Sequence, residues 1–271
     1  MKLTSVIEKR IFGNAKPSEK PKFYFVGGQS GSGKTATVNT LKREHNLVEI
    51  NPDKMRIYHP EYKDIVMEGN ELELANITAD FSRQITQEAI DYAIKHEISF
   101  ILEGTFKRFS YVRNTLQKFK ETNFKVNVVA LCVPTEMAIT ASVLRYYKSP
   151  SKNRWVDLAT HQDSNKNAEI TYKKIINAKL ANYFTIMTRD GIKTVYYIKE
   201  YNSNIKNEIL EEVKYYRDVK QLETPALKSL LEEYDEVKQL AKDNPNHKDL
   251  SNMVKYLAEL TDIERDLKNY E

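Results

Sequence analysis

Between residues 20 and 200 short apolar runs alternate with amphipathic stretches. Residues 23–26 (Phe-Tyr-Phe-Val), 47–51, 98–102 and 124–133 are apolar and rich in β-branched or aromatic side chains, and each predicts a strand. The intervening stretches have helical periodicity. Residues 35–42 predict a helix. Over residues 71–96, Leu72, Ala75, Ala79, Ile85, Ala89, Ile90 and Ile94 can share one face. Residues 108–122 and 136–147 predict two more helices. Pro52 closes the second strand and Pro134 the fourth, and the polar stretch after Pro52, with Pro60 and Gly69, reads as irregular. Strands alternating with helices imply parallel pairing through right-handed crossovers, hence a doubly wound, mostly parallel α/β sheet.

The flanking segments follow another pattern. Residues 1–20 form a polar lead-in with one short helix over 4–12. Residues 148–165 are polar, lack apolar periodicity and read as a mobile segment. A helix is expected over 168–182, then short strands over 184–187 and 194–198 around the turn at Asp190-Gly191. From Asn204 onward the chain is helical and charge-rich. Thr224 as N-cap with Pro225 at the first position starts one helix. Asn244-Pro245-Asn246 ends it, and a last helix is expected over 249–269, with Leu250, Met253, Leu257, Leu260, Ile263 and Leu267 at helical spacing. This tail reads as a helical hairpin packed on the core, with a partner-binding arm as the other reading. The division expected is 1–20 lead-in, 21–220 main domain and 221–271 helical C-terminal extension.

Composition changes this picture little. The 271 residues carry a net charge of +4, too mild to imply a nucleic-acid partner. Cys132 is the only cysteine, so no intrachain disulfide forms, which suits a reducing cytoplasm; within its apolar run it reads as a buried small hydrophobe. Glu8, Lys9 and Arg10 interrupt the N-terminal apolar residues, so no secretory signal is expected, and no apolar run approaches a membrane span.

The chemistry concentrates after the first strand. Four of the eight glycines, Gly27, Gly28, Gly31 and Gly33, fall within seven residues, in Gly27-Gly28-Gln29-Ser30-Gly31-Ser32-Gly33-Lys34-Thr35. Glycine lets successive N–H groups turn inward on an anion. In such a phosphate-binding loop Lys34 reaches the β/γ-phosphates and the Thr35 hydroxyl ligates Mg²⁺. The signature arises by chance in roughly one chain per hundred of this length, and the strand before it and helix after it are the context it requires.

A phosphate loop alone does not separate GTPases, ATPase motors and small-molecule kinases. The guanine-reading Asn-Lys-x-Asp is missing, since Asn165-Lys166-Asn167-Ala168 lacks the aspartate, and no clean apolar run ends in a Walker-B Asp. A kinase needs a carboxylate at the cleft mouth, and Asp53 follows the second strand directly. It needs positive charge over the transferring group, which Arg145 and Arg154 could bring from either end of the polar segment. Glu88, Glu103, Thr105, Lys107 and Arg108 offer hydrogen bonds suited to a sugar or sugar nucleotide. Other readings stay open: Asp53 as a helix cap, Glu103 as a support for Lys34 or Mg²⁺, Arg145 as a solvated helix-end cation, Glu88 as an ordinary exposed Glu, and His161 as a polar structural residue.

Taken in order, the strings resemble the zeta toxins of bacterial toxin–antitoxin systems. They are the phosphate loop, Ile50-Asn51-Pro52-Asp53-Lys54-Met55 with His59-Pro60, Glu88-Ala89-Ile90, Phe100-Ile101-Leu102-Glu103-Gly104-Thr105, Leu144-Arg145-Tyr146, and Asn153-Arg154 with His161 beyond. The resemblance covers roughly residues 21–200. It implies a P-loop kinase-like fold and a toxin that uses ATP or GTP and Mg²⁺ to phosphorylate the 3′-hydroxyl of the N-acetylglucosamine in UDP-N-acetylglucosamine, blocking cell-wall synthesis. It implies Asp53 as general base, Gly28, Gln29, Ser30, Gly31, Ser32, Gly33, Lys34 and Thr35 on the nucleotide, and Arg145 and Arg154 on the phosphoryl group. Glu88, Glu103 and Thr105 would meet the acceptor, and a helical antitoxin would be the partner. The departures are Lys107 before Arg108, a shortened span from Arg145 to Arg154, Trp155-Val156-Asp157, and His161-Gln162; they fall on the acceptor pocket and lid. Other acceptors such as NAD, and a nucleotide-switched interaction protein without transferase activity, are the competing expectations.

Overall fold

Apolar residues on alternate positions of the strands decide the layering. In β1 (Lys22–Gly27), Phe23 and Phe25 enter one core while Tyr24 and Val26 enter another on the opposite face. The computed structural model describes residues 3–68, 71–149, 155–200 and 203–263. Before β1, α1 (Leu3–Val6) runs into a π-helical turn, Ile7–Phe12, and Val6, Ile7 and Phe12 are buried in the main core.

After β1 come α2 (Lys34–His45), β2 (Val48–Ile50), α3 (Pro52–Met55), α4 (Tyr62–Met67), α5 (Glu71–Ile77) and α6 (Ala79–Lys95). Then follow β3 (Phe100–Gly104), α7 (Phe109–Gln117), β4 (Lys125–Leu131), α8 (Thr135–Lys148) and α9 (Leu158–Asn177). The chain continues through β5 (Tyr183–Thr188), β6 (Gly191–Tyr197), α10 (Ser203–Tyr215), α11 (Thr224–Asp243) and α12 (Lys248–Tyr256). The sheet has six strands in the order β2-β3-β1-β4-β5-β6; every pair is parallel except the last, β5 with β6. One face is covered by α6, α9 and the N-terminal turn, the other by Val38 and Leu41 of α2. The fold is thus the expected doubly wound, mostly parallel sheet of P-loop kinase-like type. Among the described residues no helix is long and apolar enough to cross a membrane.

Several local expectations need correction. The stretch after Pro52, read as irregular, folds into short helices, because the Asn51 side chain accepts from the Asp53 and Lys54 amides and starts α3 with Pro52 in its first turn. The helix expected over 71–96 is broken at Thr78, whose hydroxyl donates to the Leu74 carbonyl at 2.6 Å and accepts from Arg56 Nη1 at 2.8 Å. The polar segment 148–165 is helical from Leu158, since Asp157 caps α9 by accepting from the Thr160 amide at 2.7 Å. Glu223, without a side-chain bond, stands at the N-cap position expected for Thr224. α12 ends at Tyr256, residues 259–263 are again helical, and Glu264 to Asn269 of the expected last helix lie outside the described residues.

The C-terminal helices build a core of their own against α8. Leu230, Tyr234 and Val237 of α11 and Leu250 and Met253 of α12 bury themselves beside Met137, Ile139 and Val143 of α8. Leu250 is fully buried there. Replacing it with Ala removes packed methyl groups and leaves a cavity, so Leu250→Ala should lower the unfolding free energy by about 2–5 kcal/mol in urea titrations. A loss near zero would mean that the hairpin does not pack on α8.

Candidate active site

Two glycines let the loop between β1 and α2 fold tightly. Gly31 (φ +79°) and Gly33 (φ +99°) both sit in the left-handed region, and a Cβ on Gly31 would overlap the Ala138 carbonyl of α8. The Gly28 amide ties the loop to β3 by donating to the Gly104 carbonyl at 3.3 Å. Ser32 Oγ and both polar atoms of the Gln29 side chain are buried in the loop without a hydrogen-bond partner. Lys34 Nζ donates to the carbonyls of Gly28 (2.9 Å) and Gln29 (2.7 Å), and burial lowers its pKa to about 8, against the pull of Glu103. Thr35 lies exposed in the first turn of α2.

Acidic groups converge from the β2–β3 flank. Glu103 pairs in register with Val26 of β1, next to the start of the loop. It accepts from Asn51 Nδ2 at 3.1 Å, and burial pushes its carboxyl above the usual range while Lys34 draws it down. Asp53 is not the cap of α3; Asn51 has that role. The Asp53 side chain is 86% exposed, with Oδ1 accepting from Arg56 Nε at 3.2 Å. Arg56 also donates to the Ala75 carbonyl at 2.7 Å, which joins α3 to the end of α5. Glu103 and Asp53 favour the charged form of Lys34 while Arg145 opposes it.

Basic groups approach from the other flank. Arg145, in the last turn of α8, donates from Nη2 to Ser30 Oγ at 3.0 Å, and Ser30 lies 3.4 Å from Ser142 Oγ. Arg154 lies outside the described residues. Arg189, just past β5, was not a candidate from sequence. It donates to the Gly31 carbonyl of the loop and to the Met137 carbonyl of α8, each at 2.9 Å. One arginine at a strand end in a lysine-rich chain gives no local signal; only the place of β5 in the sheet puts it beside the loop. Asn51 could have been found from Asn-Pro-Asp, a cap followed by a first-turn proline.

The remaining candidates are less gathered. Thr105 is exposed, and its Oγ1 accepts from the Lys107 amide at 3.5 Å. Lys107 pairs with Asp163 of α9 at 2.5 Å. Arg108 is exposed at the N-cap of α7. Glu88 accepts from Gln84 one turn earlier on α6 at 2.9 Å, with no hydrogen bond or ion pair to the loop among the described residues. His161 is buried, and neither of its ring nitrogens has a hydrogen-bond partner.

These residues fit a magnesium nucleotide. The unpartnered Ser32 hydroxyl, the two left-handed glycines and Lys34 supply donors and room for a triphosphate at a helix N-terminus. No cluster of three or more His, Cys, Asp or Glu occurs among the described residues. Beside the Thr35 hydroxyl, Mg²⁺ would therefore draw its ligands chiefly from phosphate and water oxygens.

A family model described as Zeta toxin matches residues 5–201. Among similar proteins, Toxin PezT of Streptococcus pneumoniae serotype 4 is 26% identical over 134 residues, 48% of this chain and 52% of that one. Toxin zeta of Streptococcus agalactiae is 22% identical over 191 residues, 68% of this chain and 66% of that one. The chain thus spans between about half and two thirds of these relatives' lengths. A structure from the PezAT chromosomal toxin–antitoxin system of Streptococcus pneumoniae superposes with a TM-score of 0.63 at 17% identity, covering 78% of this chain and 92% of that one. An AvrRxo1-ORF1:-ORF2 structure with ATP superposes at 0.51 with 13% identity, covering 82% and 68%. These two superpositions speak to the fold.

His161 gives the site a pH signature. Burial pushes its pKa down to about 4, with Arg145 and Lys34 also opposing protonation and Asp157 and Asp249 favouring it. The unfolded chain then binds the proton more readily than the folded one, so this contribution to stability is complete above about pH 6.5 and is lost as pH falls toward 4. Relative to His161→Leu, the wild type should lose roughly 3 kcal/mol of unfolding free energy between pH 7 and pH 4. Urea titrations at both pH values check this; a difference that does not change with pH overturns it.

Proposed function

The chain belongs to the zeta toxin family, and from that premise we propose that it is a kinase toxin. It transfers the γ-phosphoryl of ATP or GTP to the 3′-hydroxyl of the N-acetylglucosamine of UDP-N-acetylglucosamine or a related sugar nucleotide. The observation that carries this reading is a tightly folded phosphate loop, with Lys34 bonded inside it, Arg145 on its Ser30 and Glu103 on the strand next to its start. Asp53 stands at the open mouth of the cleft, where it takes the proton of the acceptor hydroxyl. That oxygen attacks the γ-phosphorus, the bond to the bridging oxygen breaks, and the nucleoside diphosphate leaves. Lys34 turns from the Gly28 and Gln29 carbonyls toward the β- and γ-phosphates, and the loop amides hold the chain of phosphates in line. Thr35 would hold Mg²⁺, which would supply neutralising charge at the phosphate oxygens. Arg145, which already reaches Ser30, and Arg154 stabilise the charge that develops on the transferring group. Glu103 orients the acceptor from the end of β3, with Asn51 fixing its carboxylate. Glu88, Thr105, Lys107 and Arg108 complete the acceptor side.

Relatives named as toxins, and a similar structure from a toxin–antitoxin system, support a toxin held in check by an antitoxin partner. A second reading keeps the kinase and changes the acceptor, for example to NAD, because the chain departs from the family pattern on the acceptor side, where Lys107 stands before Arg108 and pairs with Asp163.

The test is mass spectrometry of small molecules after incubation with Mg-ATP and a panel containing UDP-N-acetylglucosamine and NAD. One acceptor should gain a phosphoryl group. Lys34→Ala and Asp53→Ala should each reduce transfer at least about 10³-fold without unfolding the protein. Transfer retained by Asp53→Ala overturns the base assignment, and ATP binding without any phosphorylated product overturns the kinase.

A further inference from the structure

Strand order divides the mouth of the sheet into two flanks. β2 and β3 lie on one side of β1, and their ends carry Asn51, Asp53 and Glu103; β4 and β5 lie on the other. Past the ends of β4 and β5 is a cavity of about 360 Å³. Its inner side is made by Val133, Pro134 and Met137, and its outer side by Leu222, Ala226, Ser229, Leu230 and Glu233, from α11 and the turn before it. Arg189 lines the cavity and also touches the phosphate loop, donating to the Gly31 carbonyl at 2.9 Å. Arg189 therefore joins this cavity to the phosphate loop.

The lining says what chemistry fits. The two cations, Arg189 and Lys193, are each within 3.9 Å of a carboxylate, Glu233 and Asp190 respectively. Asp218 and Glu223 add two more carboxylates, so the cavity is unsuited to a phosphate. Apolar walls with carboxylate acceptors suit a flat, neutral ring bearing N–H donors. The volume is near the lower end of the range for small-ligand sites, about 300–1,000 Å³, enough for a base and part of its ribose.

We propose that this cavity receives the base of the donor nucleotide and that α11, beyond the stretch 5–201 matched by the family model, supplies its outer wall. The proposal rests on the nucleotide-dependent transfer above and assigns the C-terminal hairpin a part in substrate binding as well as in the fold. Ala226 is half-buried and Ser229 exposed, so a larger side chain at either position fills the cavity from its rim.

Calorimetry of the full chain with Mg-ATP and with Mg-tripolyphosphate, which lacks a base, tests it. The wild type should bind ATP at least about tenfold more tightly than tripolyphosphate. In Ala226→Trp and Ser229→Trp the ATP affinity should fall at least about tenfold while tripolyphosphate affinity stays within about twofold, a retention that also shows the variants are folded. Equal binding of the two ligands by the wild type, ATP affinity unchanged in both variants, or parallel loss of both ligands in both variants overturns the base site and leaves the transfer reading standing. A wild type that binds neither ligand overturns both.

Discussion

The phosphate loop can lie against α8 because Gly31 has no side chain. Its backbone comes so close to the Ala138 carbonyl that any Cβ would collide with it, and its left-handed φ already disfavours other residues. Arg189 closes the same contact from beyond β5 by donating to carbonyls on both sides of it, Gly31 in the loop and Met137 in α8. Burial lowers the pKa of that guanidinium, and the Glu233 carboxylate opposes the shift. This one contact determines where Arg145 and Ser142 stand relative to the loop, since both belong to α8.

Much of the architecture was legible because it rests on the pattern of apolar residues. β1, β3 and β4 are buried almost throughout, successive residues filling the cores on opposite faces, so their apolar runs are continuous and easily read. The misread segments are polar stretches whose helices are started by single side chains. The carboxylate of Asp157 begins α9 in sequence with no apolar stripe to announce it, and the amide of Asn51 begins α3 where Pro52 suggested only an end. Long-range partners were illegible for a different reason. Arg189 follows Gly31 by 158 residues, and only the position of β5 in the sheet brings them together.

The site was legible in the same graded way. The loop announces itself because its glycines and lysine have one common use, and Asp53 and Glu103 because they follow strands that end beside it. Their local roles needed coordinates. Asn51 takes the cap that Asp53 could have held, which leaves the Asp53 carboxylate at the surface, where it accepts from Arg56. Glu103 instead sits low in the cleft, desolvated and bonded by Asn51. Two carboxylates a strand apart thus occupy different environments, one open and one buried. That difference separates the proposed roles of proton acceptor and acceptor-orienting group.

The C-terminal hairpin holds the chain at two points, one within α8 and one where α9 begins. On the α8 side the buried Thr140 hydroxyl donates to Glu233 at 2.9 Å. On the α9 side Asp249 accepts from Trp155 Nε1 at 2.9 Å and from the Leu158 amide at 3.4 Å. The same hairpin lines the cavity beyond β4 and β5 and holds the outer face of α8, whose inner face meets the loop. Displacing the hairpin would therefore loosen the loop's support, so the segment outside the family match is bound to the phosphate loop through α8 rather than appended to it.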